Sequence, residues 1–254
     1  MSEEQKQKFP SEIVDLPSEG KLYSKDHPLR SGKIELKYMT AKEEDILTSQ
    51  NLLKKGVVIE KLLNSLILTE GVSADDLVLG DKNALMVASR ILAYGPEYTC
   101  EVIDPDTDEK MKHTFNLADC PFKKVPEGVD GNEFQFELPV SKKNILFKIL
   151  TGKEDKMLQS ELKKTKIASG GVSRELTTRL RYSIMSIDGE TNQMKINSFV
   201  NNSLLSKDSI ALRGEIARVA PDIEMEQMIE TEGGDVVSVR IPMTTEFFWP
   251  KAGE

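Results

Sequence analysis

The sequence predicts an α+β protein built from two related halves, each with a strand, about three helices and a β-hairpin. Stretches in which apolar and polar residues alternate indicate strands, and runs with an apolar residue every three or four positions indicate helices. The order of these elements in residues 33–120 returns in residues 144–249, which indicates an internal duplication. A chain of 254 residues is long enough for one large domain or two small ones.

We expect four segments along the chain. Residues 1–12 are mostly polar and are predicted to be a disordered N-terminus. Residues 13–120 form the first α+β repeat, residues 121–143 a linker, and residues 144–250 the second α+β repeat. Proline and glycine between residues 121 and 131 favour the linker.

The first repeat begins with extended chain at residues 13–23, and Ile34, Leu36 and Tyr38 then alternate with charged residues as in a half-buried strand. Thr40 and Glu43 have the spacing of a capping box, which predicts a helix from Thr40 to Gly56. A second helix follows at residues 58–67 and a third from about residue 81 to residue 95. Alternation in residues 98–117 then predicts a hairpin with an acidic turn.

The second repeat follows the same plan. A strand with Ile145, Phe147 and Ile149 leads into TGKED at residues 151–155, which resembles TAKEE at residues 40–44. Helices are predicted at residues 154–166, 173–186 and 207–219, with a further amphipathic segment at residues 192–204. A hairpin at residues 223–241 turns at residues 231–235.

Composition favours a soluble globular protein, with 39% hydrophobic and 30% charged residues. The longest apolar runs are too short to span a membrane, and the polar start predicts neither a signal peptide nor an anchor. Two cysteines indicate a reducing cytosol rather than a disulfide scaffold. A net charge of −8 argues against a dedicated nucleic-acid binder.

Charge is unevenly distributed along the chain. Residues 142–181 hold eleven Lys and Arg against four Asp and Glu, whereas residues 97–109 and 222–235 each hold six acidic residues and no basic one. Such runs are commonly solvated faces, but opposite patches on one chain also favour ordered assembly with copies or partners. The basic candidates for partner binding are Lys163, Lys164, Lys166, Arg174, Arg179 and Arg181.

We expect no metal site and no cofactor. Cys100, His113 and Cys120 lie on or beside the first hairpin, but they lack the paired spacing and the fourth ligand of a structural zinc site. Asp104, Asp106 and Asp108 open like a calcium-binding loop, yet Glu109 and Phe115 replace the required glycine and glutamate.

We also expect no enzymatic activity. The chain contains two histidines and none of the common nucleophile, phosphate-binding or metalloprotease motifs. The basic segment could contact phosphates, but it lacks the interleaved aromatic residues of a stacking platform.

The aromatic run Phe247, Phe248 and Trp249 leaves two roles open. The three rings either pack on the second hairpin or insert into a pocket of a partner, since aromatic residues dominate interface hot spots.

Five segments together resemble the T-even-type phage baseplate hub and tail-assembly family. They are LPSEGKLY at residues 16–23, MTAKEEDILT at 39–48, RILAYGPEY at 90–98, YSIMSIDGE at 182–190 and FFWP at 247–250. Relatives can carry Cys-x-x-Cys pairs in the two hairpins, where this chain has DPDT and TEGG, so the resemblance does not imply zinc.

The resemblance implies a non-enzymatic protein made late in infection and needed to build the central hub of a contractile tail's baseplate. Its partners would be other hub or tail proteins, including the tape-measure protein, or further copies of itself. It would act in the host cytoplasm during assembly or remain in the virion. Two alternatives stay open: a transient assembly chaperone for the hub or the tape-measure protein, and a metal-stabilised nucleic-acid-binding module.

Overall fold

The computed structural model describes residues 10–103, 107, 110–168, 174–231, 234–243 and 245–248. Within these ranges the chain forms eight α-helices and eleven strands. The strands pair in four two-stranded sheets and one three-stranded sheet. The chain combines these helices with small antiparallel sheets, so the predicted α+β class is confirmed.

The first part of the chain carries four strands and four helices. Strand β1 (Ser11–Asp15) pairs antiparallel with β2 (Lys33–Lys37), and turns rather than extended chain fill most of the connection between them. The elements that follow are α1 (Ala41–Thr48), α2 (Gln50–Lys55), α3 (Val58–Leu66), α4 (Leu79–Tyr94), β3 (Glu97–Ile103) and β4 (Lys110–Asn116).

The single helix predicted from Thr40 to Gly56 is wrong in one respect, because it divides into α1 and α2. Ser49 has an extended backbone conformation and separates the two helices. Serine and asparagine favour such interruptions, since their side chains compete for backbone hydrogen bonds. The predicted end at Gly56 is confirmed, and this glycine adopts the left-handed conformation at the C-terminus of α2.

The predicted capping box between Thr40 and Glu43 is present, and Lys37 also binds the Glu43 carboxylate. The backbone amide of Thr40 donates to a carboxylate oxygen of Glu43 at 3.0 Å, and the Thr40 hydroxyl donates to the same oxygen at 2.7 Å. The Lys37 ammonium donates to the other oxygen at 2.7 Å. The end of β2 is thereby attached to the start of α1.

The stretch predicted as a linker carries two short strands. Strand β5 (Phe122–Lys123) pairs with β9 (Asp222–Ile223), near the far end of the sequence. Strand β6 (Phe134–Glu137) pairs with β7 (Asn144–Phe147). Residues 121–143 therefore take part in two sheets.

The second part continues with α5 (Gly152–Ala168), α6 (Glu175–Ser183), β8 (Ile184–Ile187), α7 (Gln193–Asn202), α8 (Ser206–Val219), β10 (Glu226–Glu230) and β11 (Val236–Arg240). The helix predicted over residues 173–186 is wrong at its end, because residues 184–187 form β8. This strand pairs with β7 in the order β6-β7-β8. Pairing with a neighbouring strand decides the conformation of these residues, two of which are β-branched isoleucines.

The junction between β7 and α5 repeats the contacts found at Thr40. The Thr151 amide donates to Glu154 at 2.9 Å, its hydroxyl donates to the same oxygen, and the Lys148 ammonium donates to the other oxygen at 2.6 Å. Lysine, threonine and glutamate have the same spacing at both junctions. The similarity noted between TAKEE and TGKED thus extends to the side-chain contacts.

The two parts share one hydrophobic core and pack closely at two glycines. A Cβ atom on Gly80 would lie 1.8 Å from the carbonyl oxygen of Pro221, and one on Gly152 would lie 2.2 Å from that of Ala74. The side chain of Asn83 also donates to Asp222 at 3.0 Å. Backbone of each part therefore lies directly against the other.

Candidate partner-binding surfaces

Phe247 and Phe248 lie in the core. Their exposed fractions are 0% and 2%, and the ring of Phe247 meets that of Tyr98 edge-on at a centroid distance of 5.1 Å. The Tyr98 hydroxyl in turn donates to the carbonyl oxygen of Pro242 at 3.2 Å. Both phenylalanines therefore contact residues of this chain and would have to leave the core to enter a partner. Trp249 lies outside the described residues.

The six basic candidates have different surroundings. Lys163, Lys164 and Arg174 are exposed, and the Lys163 ammonium donates to the carbonyl oxygen of Lys55 at 3.4 Å. Arg179 forms an ion pair with Glu175 at 3.2 Å, and Arg181 forms one with Glu161. The side chain of Lys166 lies outside the described residues. The two arginines near the end of α6 are thus engaged with carboxylates of their own chain.

A groove of about 650 Å³ runs along the outer side of α5, and Lys153, Lys156, Met157, Ser160, Glu161, Lys164 and Tyr182 line it. Spacings of three, four, seven and eleven residues place most of these positions on one side of the helix. Met157, one of the lining residues, is 52% exposed. Lys153, Lys156 and Met157 are not among the residues predicted from the sequence, although the helical spacing of the two lysines is a usable signal.

Two acidic groups near this groove are already paired. Glu161 receives hydrogen bonds from Arg181 and from the Tyr182 hydroxyl, the latter at 3.2 Å. Glu60 of α3 pairs with Lys156 at 2.7 Å. The groove consequently presents Lys153 and Lys164 on either side of Met157.

The second hairpin presents an acidic face. Glu226, Met228 and Glu230 of β10 are exposed on its outer side, and Val236 lies opposite Glu230 on β11. Ile229, by contrast, points into the core. This alternation matches the sequence prediction of a half-buried hairpin. The acidic turn of the first hairpin lies largely outside the described residues.

The candidate zinc ligands are divided between two places. Cys100 lies opposite His113 in the β3–β4 register, whereas the Cys120 sulfur accepts a hydrogen bond from Gln227 at 3.4 Å. Burial raises the pKa of the Cys100 thiol to about 11 and also raises that of Cys120. The searched part of the chain holds no cluster of three or more His, Cys, Asp or Glu residues suited to a metal ion. The calcium-like carboxylates Asp104, Asp106 and Asp108 lie outside the described residues.

The most buried polar cluster is a structural contact. The Asp81 carboxylate accepts hydrogen bonds at 2.6 Å from the hydroxyls of both Ser18 and Tyr23, and a third from the Ser18 amide at 2.9 Å. All three residues are buried. The cluster joins the β1–β2 connection to the start of α4 and offers no open site for a substrate. No helix of the described chain is both long and apolar enough to cross a bilayer.

The described residues form an α+β protein with exposed charged and apolar side chains on α5 and on the second hairpin. The family described as "T4 bacteriophage base plate protein" matches residues 10–248. The chain therefore belongs to this phage baseplate family, as its sequence segments suggest, and it is a baseplate protein of a T4-type phage. Neither a curated protein nor a solved structure matches the chain.

Proposed function

We propose that this protein is a structural component of the baseplate hub of a contractile phage tail, and that it acts through protein–protein contacts without catalysing a reaction. The family match over residues 10–248 is the observation that carries the proposal. The hub assignment draws its support from the five sequence segments that resemble hub and tail-assembly proteins.

The distribution of charge supports a contact function. The α5 groove presents lysines around an exposed methionine, and the outer side of β10 presents glutamates around another. Complementary charge steers proteins into a defined orientation and disfavours incorrect partners. Such faces suit a protein that must take one position in a large assembly.

We infer that the partners are other hub or tail proteins, with the tape-measure protein among the candidates, and that they meet the chain in the host cytoplasm during assembly. Lys163, Lys164 and Arg174 are the exposed members of the basic segment. Because Phe247 and Phe248 are buried, we expect the exposed charged residues to contribute more to recognition than these two rings.

Affinity capture from infected cells, followed by mass spectrometry, tests this proposal when it is compared with the protein content of purified virions. A hub component is expected to capture hub proteins and to be present in virions. Capture of hub or tape-measure proteins without presence in virions would instead support a transient assembly chaperone. Metal analysis and a DNA titration of the purified protein test the nucleic-acid-binding alternative, and tight binding of both would contradict the proposal.

A matched pair of variants tests the role of the basic segment. Lys163→Gln/Lys164→Gln removes two exposed positive charges from α5, whereas Lys25→Gln/Lys42→Gln removes two from other exposed positions. We expect the first variant to capture less of the partner proteins and the second to capture the normal amount. Equal capture by both variants would contradict a role for this segment.

A further inference from the structure

Two exposed faces of this protein are complementary in both charge and apolar character. We define the α5 face as Lys153, Lys156, Met157, Ser160 and Lys164. We define the β10 face as Glu226, Met228 and Glu230 of β10 with Val236 of β11. Each face has an exposed methionine between charged residues. The net charges of the two faces are opposite in sign, with Arg240 of β11 opposite Glu226 and Glu161 beside the lysines as the exceptions.

The charges at the ends of these faces lack ion-pair partners within the described part of the chain. This applies to Lys153 and Lys164 on α5 and to Glu226 and Glu230 on β10, in contrast to Lys156, which pairs with Glu60. Surface charges without partners are available for pairing with another molecule. Because both faces are exposed in the same chain, they do not cover each other.

The dimensions of the two faces are compatible. Lys153 and Lys164 are separated by about 16 Å along the helix axis, at 1.5 Å per residue. Glu226 and Glu230 are separated by about 13 Å along the strand. The lysine side chains are long and flexible enough to close this difference, so both lysines can reach the two glutamates while the methionines meet between them.

The exposed apolar groups add a reason for contact. Met157, Met228 and Val236 are 52%, 65% and 63% exposed. Methionine adapts its shape to a neighbouring surface and is common where surfaces bind. A contact that covers all three would remove apolar area from water as well as pair the charges.

We propose that the β10 face of one copy of this protein binds the α5 face of a second copy. The inference rests on the proposed function in treating these faces as protein-contact surfaces, and it names a further copy of the chain as a partner. Two different faces meet, so the contact is heterologous. Each bound copy leaves one α5 face and one β10 face open, and successive copies form a closed ring or an open filament.

A nucleic acid is a less suitable occupant of the α5 face. Among the described residues that line the groove, Tyr182 is the one aromatic, and its hydroxyl donates a hydrogen bond to Glu161. The net charge of −8 also repels a polyanion. The acidic β10 face is in contrast a protein surface with the required sign and spacing.

Sedimentation velocity of the purified full-length chain tests the proposal over a range of protein and salt concentrations. We expect species larger than the monomer at low salt, with weaker association as salt increases, because screening shortens the range of surface charges to about 10 Å at 0.1 M. A chain that stays monomeric at every protein concentration at low salt would overturn the proposal.

Neutral variants identify the two faces. Lys153→Gln/Lys164→Gln and Glu226→Gln/Glu230→Gln are each expected to weaken self-association at least tenfold. The controls Lys25→Gln/Lys42→Gln and Glu127→Gln/Glu133→Gln change charge equally at exposed positions on other elements, and they are expected to associate like the unmodified protein. Circular dichroism of each variant checks that the fold is kept. Equal association of the face variants and their controls would contradict the assignment.

A mixing experiment tests the head-to-tail geometry. The α5 variant keeps an intact β10 face and the β10 variant keeps an intact α5 face. An equimolar mixture is therefore expected to form a one-to-one complex that does not grow further. Larger assemblies in the mixture, or no complex, would contradict the proposed contact.

The two proposals can fail separately. Absence of self-association in the unmodified protein, together with normal capture of hub proteins, would overturn this inference and leave the proposed function standing. Self-association without capture of any tail protein from infected cells would overturn the proposed function and leave the contact between copies standing.

Discussion

Asp81 and Asp208 occupy the same position in two helices but differ in their surroundings. Each is the third residue of its helix, α4 or α8, and each accepts hydrogen bonds from backbone that follows a Leu-Pro pair. The Ser18 amide donates to Asp81 at 2.9 Å. The amides of Val140 and Ser141 donate to Asp208 at 2.7 and 3.1 Å. The helix start is therefore anchored to the preceding strand connection in both parts of the molecule.

The cover over the two aspartates differs. In the first part, the long connection between β1 and β2 lies over Asp81 and buries Leu22, Tyr23 and Leu29. In the second part, the connection between β6 and β7 is a short turn. Val140 in this turn and Leu205 at the start of α8 are each 47% exposed.

The two carboxyl groups consequently shift in opposite directions. Burial raises the pKa of Asp81, and the hydrogen bonds from Ser18 and Tyr23 offset this only in part. Burial also acts on Asp208, but the hydrogen bonds from Val140 and Ser141 more than offset it and lower the pKa. Both aspartates are fully buried from solvent, so the balance between desolvation and the donated hydrogen bonds sets how easily each carboxyl group ionises.

The two lysine–threonine–glutamate junctions show the same difference. The side chains of Lys37 and Glu43 are 9% and 0% exposed, whereas those of Lys148 and Glu154 are 30% and 19% exposed. The Ser65 hydroxyl adds a further hydrogen bond to Glu43 at 2.5 Å. The junction in the first part is thus the more deeply buried of the two.

We propose that these paired features descend from an internal duplication. Both parts contain a two-strand pairing with a Leu-Pro connection, a lysine–threonine–glutamate junction, a helix anchored by an aspartate at its third position, and a C-terminal hairpin. The parts diverge where the first has the long β1–β2 connection and the second has the additional helix α7.

Replacing the junction glutamates gives the largest expected difference. Glu43→Gln removes the carboxylate that pairs with the buried Lys37 ammonium at 2.7 Å, and it is expected to lower the free energy of unfolding by about 3 kcal/mol. Glu154→Gln is the matched variant and is expected to cost about 1 kcal/mol, because water reaches its more exposed lysine. Urea denaturation measures both values. Equal losses would show that burial does not distinguish the junctions.

The acid sensitivity of the first junction follows from the same contacts. Burial alone would raise the pKa of Glu43, but hydrogen bonds from Lys37, Ser65 and Thr40 lower it from 4.5 to about 2. Because the pKa of Glu43 is lower in the folded chain than its ordinary value of 4.5, the ionised carboxylate stabilises the fold at pH values above 4.5. This stability is lost as the pH falls from about 4.5 towards 2. The difference between the unmodified protein and Glu43→Gln should therefore shrink across this window. A difference that stays constant there would contradict the lowered pKa.

The anchoring aspartates give the next largest effect. Asp81→Asn replaces the oxygen that accepts from the Ser18 and Tyr23 hydroxyls, and it is expected to lower the free energy of unfolding by about 2 kcal/mol. Asp208→Asn is expected to have a smaller effect, because each oxygen of Asp208 accepts from a single backbone amide, so the change removes the acceptor of one donor rather than of two hydroxyls. Thermal denaturation at neutral pH measures the stability of both variants. A larger loss of stability for Asp208→Asn than for Asp81→Asn would contradict this prediction.

Removing one hydroxyl tests the long connection directly. Tyr23→Phe keeps the ring but removes the donor to Asp81 and the acceptor of the Val78 amide, which lie at 2.6 and 3.0 Å. We expect a loss of about 1 kcal/mol in urea denaturation. Combining Tyr23→Phe with Asp81→Asn should cost less than the sum of the two single changes, since both remove the same hydrogen bond. Full additivity would indicate that the two groups act independently.

The smallest effect is expected in the turn between β6 and β7. Val140→Ser removes an exposed apolar side chain, and the free energy of unfolding is expected to change by no more than about 0.5 kcal/mol. The same urea titration measures it. A loss as large as that of Tyr23→Phe would show that Val140 is part of the core.

Local patterns predicted much of the secondary structure. The alternation around Ile34 marked β2, the Thr40–Glu43 spacing marked the start of α1, and Gly56 marked the end of α2. These signals act between residues close in the sequence, where backbone geometry and capping are decided locally. The charge of the second hairpin was equally evident from its composition.

The errors fall where distant residues decide the conformation. Residues 184–187 continue a helical pattern but pair with β7, and residues 134–137 resemble a linker but form the edge strand of the same sheet. The α5 face was missed for a related reason. The sequence shows all of its lysines. It does not show that Arg181 pairs with Glu161 and Lys156 with Glu60, because these residues are far apart in the chain.

The sequence alone determined the α+β class, the starts of the main helices, the two hairpins and the uneven distribution of charge, because each depends on residues close together in the chain. Tertiary packing decided which charges remain free at the surface, which of two equivalent carboxyl groups is hard to ionise, and that Phe247 and Phe248 are buried. These properties depend on contacts between residues that are far apart in the sequence, and the free energy of such contacts is set by the surrounding protein.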